Sequence, residues 1–167
     1  MKKNLIPVIL VLVLPILAAC GTGRSSSEMA NPWSDFKSLK EAENAAGYEL
    51  GMPETLGSYK ANVFRTKKEG YGIGILEVRY YDGDSEINVR KSAGEGVDIS
   101  GVYGLDIRTT EQLSGGEEIT YCRKDSSGTG PVLVTFRNGG YSWSIYAEKG
   151  FSGDSCSDFL SAALSTD

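Results

Sequence analysis

The sequence predicts an α+β domain: one antiparallel sheet, a meander of about six to eight strands, with an N-terminal and a C-terminal helix packed on it. Two observations carry this. Between residues 61 and 147, short runs of β-branched and aromatic residues are separated by turns rich in Gly, Asn and Asp. At either end of that stretch, apolar residues recur at helical spacing instead.

Taken in order, Ser38-Leu39-Lys40-Glu41 has the spacing of a capping box, with Ser38 as N-cap and Glu41 reaching back. Leu39, Ala42, Ala45 and Ala46 then form an apolar stripe, and Gly47 stands where a glycine ends a helix. Tyr48 and Leu50 begin a short extended piece that Pro53 halts, and residues 61–66 make a second. Residues 71–81 form a longer strand, turned by Asp82-Gly83-Asp84 into residues 86–92, where Ile87 and Val89 alternate with polar neighbours. Residues 102–109 place Tyr103, Leu105 and Ile107 on one face, and Ser114-Gly115-Gly116 turns into residues 117–123. Val132, Val134 and Phe136 follow, then the turn Asn138-Gly139-Gly140, then Tyr141, Trp143, Ile145 and Ala147. A last helix spans about 153–165, with Cys156, Phe159, Leu160 and Ala163 on one face.

Residue phase adds two expectations. Within 71–81, Tyr71, Ile73 and Ile75 lie on one side and Leu76, Val78 and Tyr80 on the other. Either a bulge sits near Ile75, or the strand is covered on both faces, which fits helices on opposite sides of the sheet. Cys122 alternates out of register with Tyr121 and faces the other way.

The chain begins with Lys2 and Lys3, an apolar run from Leu5 to Leu17, and Ala18-Ala19-Cys20. This is the pattern of a secretory signal, and its end resembles the lipobox of bacterial lipoproteins, whose cysteine is acylated with chains such as palmitate. A spanning helix needs about 20 apolar residues, and Pro7 and Pro15 interrupt this run. The expected organisation is therefore a signal peptide over 1–19, a lipidated Cys20 with a Gly/Ser-rich tether over 20–30, and one domain over 31–167. The expected location is the cell membrane, facing outside the cytoplasm, held by lipid on Cys20 at about 0.8 kcal/mol per buried methylene.

Composition narrows the function. The whole chain carries a net charge of −5 with no histidine. The signal holds two lysines and no acid, so the mature charge is −7. Such a chain is a poor partner for nucleic acid, whose phosphates need a basic stripe. Without histidine there is no Ser-His-Asp or Cys-His arrangement and no histidine-ligated zinc. No metal and no cofactor is expected. Gly70-Tyr71-Gly72-Ile73-Gly74 lacks the Lys-Ser/Thr of a phosphate loop. Asp82, Asp84 and Glu86 lack the twelve-residue pattern of a calcium loop and read as hairpin chemistry.

With Cys20 assigned to lipid, Cys122 and Cys156 remain as a pair in a compartment where disulfides persist. A structural bridge would contribute about 3–4 kcal/mol in the chain-entropy model; the alternative is two free buried thiols.

Asn31-Pro32-Trp33, then Ser38-Leu39 through Gly47-Tyr48, then Met52-Pro53, Arg79-Tyr80-Tyr81-Asp82-Gly83-Asp84 and Asn138 through Ile145 resemble an extracytoplasmic domain-of-unknown-function family. That family is common in Gram-positive bacteria, on lipoproteins and on membrane proteins resembling anti-sigma factors. The likeness covers about residues 31–165. It implies an α+β domain without known catalysis, and no functional residues carry over.

The remaining signal is aromatic. Most tyrosines on the expected strands belong to a half-buried sheet, but Tyr81 and Tyr146 face outward by phase and are candidates for stacking on glycan or peptide. The sequence thus reads as a non-catalytic binding or interaction module of the cell envelope, with an envelope protein or glycan as partner. The alternatives are a carboxylate-dependent envelope hydrolase and an apolar-ligand carrier.

Overall fold

The computed structural model describes residues 31–68, 74–93, 98–113, 115–127 and 129–166. The expected signal, Cys20 and the tether lie outside the described residues, as do the first three residues of the strand expected over 71–81. Within them the chain is mostly antiparallel sheet with two helices. The elements are β1 (Trp33–Phe36), α1 (Leu39–Ala46), β2 (Thr55–Leu56), β3 (Tyr59–Lys68), β4 (Gly74–Asp82), β5 (Ser85–Ser92), β6 (Ile107–Gln112), β7 (Glu118–Arg123), β8 (Val132–Asn138), β9 (Tyr141–Ala147) and α2 (Ser155–Leu164). No described helix is long and apolar enough to cross a membrane.

The sheet runs β1-β3-β4-β5-β9-β8-β7-β6, with β2 also paired to β3. It is therefore not the continuous meander expected. Two meanders, β3-β4-β5 and β6-β7-β8-β9, meet where β5 pairs with β9. After β5 the chain crosses to the far edge, lays down β6, and works back inward. That crossing uses residues read above as a strand: β6 begins only at Ile107, and Tyr103 stands 86% exposed.

The inner face is continuous and apolar. Cross-strand register aligns Val78, Val89, Ile145 and Val134 in one row, and Tyr80, Ile87, Ala147 and Val132 in the next. Leu39 and Ala42 of α1 join Phe159, Leu160 and Ala163 of α2 in the same core cluster, so both helices lie on this face rather than on opposite ones. Phe159 meets Tyr80 edge-on at 4.9 Å and Tyr59 at 5.6 Å, the geometry the ring quadrupoles favour. β4 is buried on both faces without a bulge of its own; the extra residue is Asn62 of β3, between Ala61 and Val63.

Local devices set the ends of the elements. The Ser38 hydroxyl accepts from Glu41 N–H, and the Glu41 carboxylate accepts from Lys37 N–H, one residue outside the expected box. At the β8–β9 turn, Gly139 and Gly140 both have positive φ (58° and 80°), the twist that joins antiparallel strands without splaying them. The preceding Asn138 turns its amide to the carbonyls of Ala163, Leu164 and Thr166 at 3.0–3.2 Å, closing the C-terminal end of α2.

Residues 48–50 are not a strand, because side chains satisfy their backbone. Leu50 N–H donates to Glu43 Oε1, and the Lys91 ammonium donates to the Glu49 carbonyl at 2.7 Å. Lys91 enters the core here, its charge 4.4 Å from the Tyr141 ring centre and 4.8 Å from that of Trp143. Burial lowers its pKa, and Glu43 and Glu49 oppose that shift. The Tyr48 hydroxyl lies 2.7 and 2.8 Å from the Gly74 and Lys91 carbonyls and accepts from Leu76 N–H, so it ties the start of β4 to β5.

Burial raises the Tyr48 pKa to about 12, from 10.0. The neutral phenol is thus favoured in the folded state, and its contribution is complete below pH 10 and lost as pH rises from 10 through about 12. Tyr80, also raised by burial, acts in the same direction, whereas Lys91 acts oppositely below pH 10.5. Tyr48→Phe should cost about 1–2 kcal/mol at neutral pH through the lost hydrogen bonds. It should also flatten the stability loss above pH 10 by up to about 1.4 kcal/mol per pH unit. Urea midpoints from pH 8 to 11.5 measure both; parallel pH curves for the two proteins would refute the assignment.

Candidate functional site

The outer face of the sheet carries a polar surface that begins with a buried carboxylate. Glu77, 0% exposed, projects from β4 between Arg65 of β3 and Arg90 of β5, its partners in cross-strand register. Arg90 Nε donates to Glu77 Oε2 at 2.7 Å, Arg90 Nη2 lies 2.6 Å from the same oxygen, and Arg79 Nε donates to Oε1 at 2.8 Å. Arg65 Nη1 stands 3.8 Å from Oε1 and its Nε 3.0 Å from Asp35 Oδ1, the latter without hydrogen-bond alignment. Arg79 continues to Glu86 at 3.3 Å. Three guanidiniums thus balance three carboxylates.

The same row changes character across the β5–β9 junction. Beyond Arg90 it continues through Ser144, Thr135, Thr120 and Thr110, a ladder of hydroxyls on the outer face. One half of the row is ionic and the other neutral and polar.

Residues 98–106, the crossing between the two meanders, form a strap over this face. Arg90 fastens it, donating from Nη1 to the carbonyls of Ile99 (2.9 Å) and Ser100. Its guanidinium also lies 5.0 Å from the Trp33 ring centre. Position 101 favours glycine through its φ of +60°, and a Cβ there would also sit 3.1 Å from Arg90 Nη1. At the same end the Asp98 carboxylate accepts from Ser100 N–H and Oγ, holding the first turn of the strap.

Cavities open on both sides of the strap, sharing Val102 in their walls. The larger, about 920 Å³, has Thr120, Thr135, Cys122 and Leu133 in its floor and Asp106 and Arg108 at its rim. The smaller, about 270 Å³, is walled by Asn88, Arg90, Ser144 and Tyr146 beneath Ser100, Gly101 and Val102. The Asn88 Oδ1 is enclosed without a hydrogen-bond partner in the protein. The larger volume lies in the range of small-molecule sites. Among the described residues there is no group of three or more His, Cys, Asp or Glu that could hold a metal.

The sequence-predicted residues separate here. Tyr81 and Tyr146 both face outward, as their phase requires, but β5 lies between them. Tyr146 walls the smaller cavity, and burial, with the charge of Glu148, raises its pKa. Tyr81 walls neither; burial followed by Glu86 raises its pKa, with Arg79 opposing.

In the structure Cys122 and Cys156 are not bridged to each other. The pleat explains this. Cys122 points to the outer face beside Leu133, while α2 places Cys156 on the inner face against the core. Burial raises the Cys156 pKa, with Arg123 opposing.

Sequence reasoning missed Glu77 and its arginines, which are individually ordinary strand residues and become a cluster only through register. Gly101 and Gly104, both at positive φ, carry the readable signal that 101–104 turns rather than extends. No protein-family model, curated protein or solved structure matches this chain.

Removing Arg90 leaves Glu77 short of a partner inside the protein. Arg90→Met should destabilise by about 3–5 kcal/mol in urea unfolding and raise hydrogen exchange at the Val102 amide, while Arg108→Met, at an exposed rim position, should stay within about 0.5 kcal/mol of wild type. Equal effects of the two variants would contradict the central role of Arg90. Thiol titration of the unfolded, unreduced domain should find both cysteines reactive; neither reacting would restore the bridge.

Proposed function

We propose that this protein is a membrane-anchored extracytoplasmic lipoprotein whose domain is a non-catalytic binding module of the cell envelope. The observation that carries the binding reading is the strapped outer face, where a cavity of about 920 Å³ has a floor of sheet hydroxyls and a charged rim. Its lining is mixed, with Leu105, Leu133 and Trp143 beside the polar groups; the hydroxyls of Thr120 and Thr135 and the charges of Asp106 and Arg108 are what favour a polar envelope component such as a glycan over an apolar ligand in carriage. Tyr103, 86% exposed on the strap beside the cavity, adds an aromatic surface of the kind that stacks on sugars and peptides.

The hydrolase reading finds less support. Glu77, the only fully buried carboxylate among the described residues, is engaged by arginines and lines neither cavity. The lipid anchor is supported by the signal and lipobox pattern ending at Cys20, and the family resemblance points to the same compartment.

Two measurements test the two halves. Cys20→Ser should move the protein from the membrane to the soluble fraction; unchanged membrane attachment would remove the anchor. Wild-type protein should co-sediment with purified envelope polysaccharide. Thr135→Arg, which fills the floor of the larger cavity, should reduce this at least about tenfold (1.4 kcal/mol) without lowering the melting temperature more than a few degrees. Equal sedimentation of the two proteins would reject this face as the binding surface.

A further inference from the structure

We propose that the smaller cavity, under residues 100–102 of the strap, binds a single ring of a neutral hexose, with Tyr146 as its stacking wall and Asn88 as its polar anchor. This deepens the binding reading above and rests on it.

Three features define the ligand. The first is an unmet polar demand. Asn88 walls the cavity and its Oδ1 has no hydrogen-bond partner in the protein; that oxygen is enclosed, so the amide must turn for a ligand hydroxyl to reach it and recover the cost of its desolvation. A hydroxyl, donor and acceptor at once, meets the Asn88 amide in either orientation of its O and N atoms.

The second is charge. The guanidinium in the cavity wall is already committed: Arg90 donates to Glu77 and to the Ile99 and Ser100 carbonyls. Around it Arg65 and Arg79 are matched by Asp35 and Glu86. Among the described residues no carboxylate lines the cavity. An anion would have to compete with Glu77, and a cation would find no counter-charge. A neutral polyhydroxyl ligand needs neither.

The third is shape. Asn88 and Tyr146 are direct cross-strand partners, and Arg90 and Ser144 are the partners one row further. The sheet therefore presents an amide, a hydroxyl and an aromatic ring in one small patch. The strap backbone passes over it with Gly101 at positive φ. At about 270 Å³ the space equals about nine waters, which accommodates one sugar ring and not an extended oligosaccharide.

The test uses the full chain in a detergent without sugar headgroups, with glucose and N-acetylglucosamine as separate probes and inorganic phosphate as the anionic comparison. Saturation-transfer NMR should show one of the sugars binding with a dissociation constant on the order of 1 mM, as expected for a ligand of this size. Asn88→Leu and Tyr146→Ala should each weaken it at least about tenfold. Tyr146→Phe, which keeps the ring, should retain it, so that loss of binding is separated from loss of fold. Binding of neither sugar, sugar binding unchanged in both Asn88→Leu and Tyr146→Ala, or binding of phosphate in place of sugar would overturn the inference. Polysaccharide sedimentation that persists without a hexose signal would overturn this inference and leave the wider binding reading standing. Loss of both would remove both.

Discussion

The outer half of this structure depends on the burial of one carboxylate. Glu77 sits in the middle of the sheet with no exposed surface, where an unpaired charge would cost several kcal/mol. Its position obliges its own strand and the strands on either side to present arginines to the same point. Arg90 then has donors left over, and those donors hold the carbonyls of the crossing segment. The strap is thus fastened to the sheet by the same side chain that neutralises the sheet's buried charge.

That coupling gives the two faces different physics. The inner face is closed by apolar packing of α1 and α2 and by rings meeting edge to face. The outer face is closed by ion pairs and hydrogen bonds, which are directional and leave gaps where geometry is not met. Cavities on either side of the strap are the consequence: a polar covering segment that touches the sheet at Arg90 cannot also fill the space beside it. The orphaned Asn88 oxygen marks one of those gaps. Lys91, one residue after Arg90, points the opposite way into the core and finds carbonyls and aromatic faces instead of a carboxylate. Adjacent cations on one strand thereby serve opposite faces.

Much of the element list is legible along the chain. The capped helix at 39–46, the hairpin turns at Gly83 and Gly139-Gly140 and the strands around them rest on residues a few positions apart, and so does the C-terminal helix. The outward phase of Tyr81, Tyr146 and Cys122 follows from alternation alone. The short β1 and β2 escape notice because two to four residues carry no period, and residues 48–50 mislead because side chains from Glu43 and Lys91 replace the ladder their apolar pattern suggests. Of the candidate site, only Tyr146 is reached from phase; Tyr81 shares the face but lines neither cavity.

What the chain determines by itself is local: where helices cap, where hairpins turn, and which residues alternate to which side of a strand. These follow from steric and hydrogen-bonding preferences that act over three or four residues. Tertiary structure alone decides that β5 pairs with β9, that the intervening segment crosses the outer face, and that both helices take the inner one. Those choices turn Arg65, Glu77, Arg79 and Arg90 into one cluster and set Cys122 and Cys156 on opposite sides of the sheet. They depend on contacts between residues far apart in the chain, where burying a charge or an apolar row selects one register among many that local preference allows.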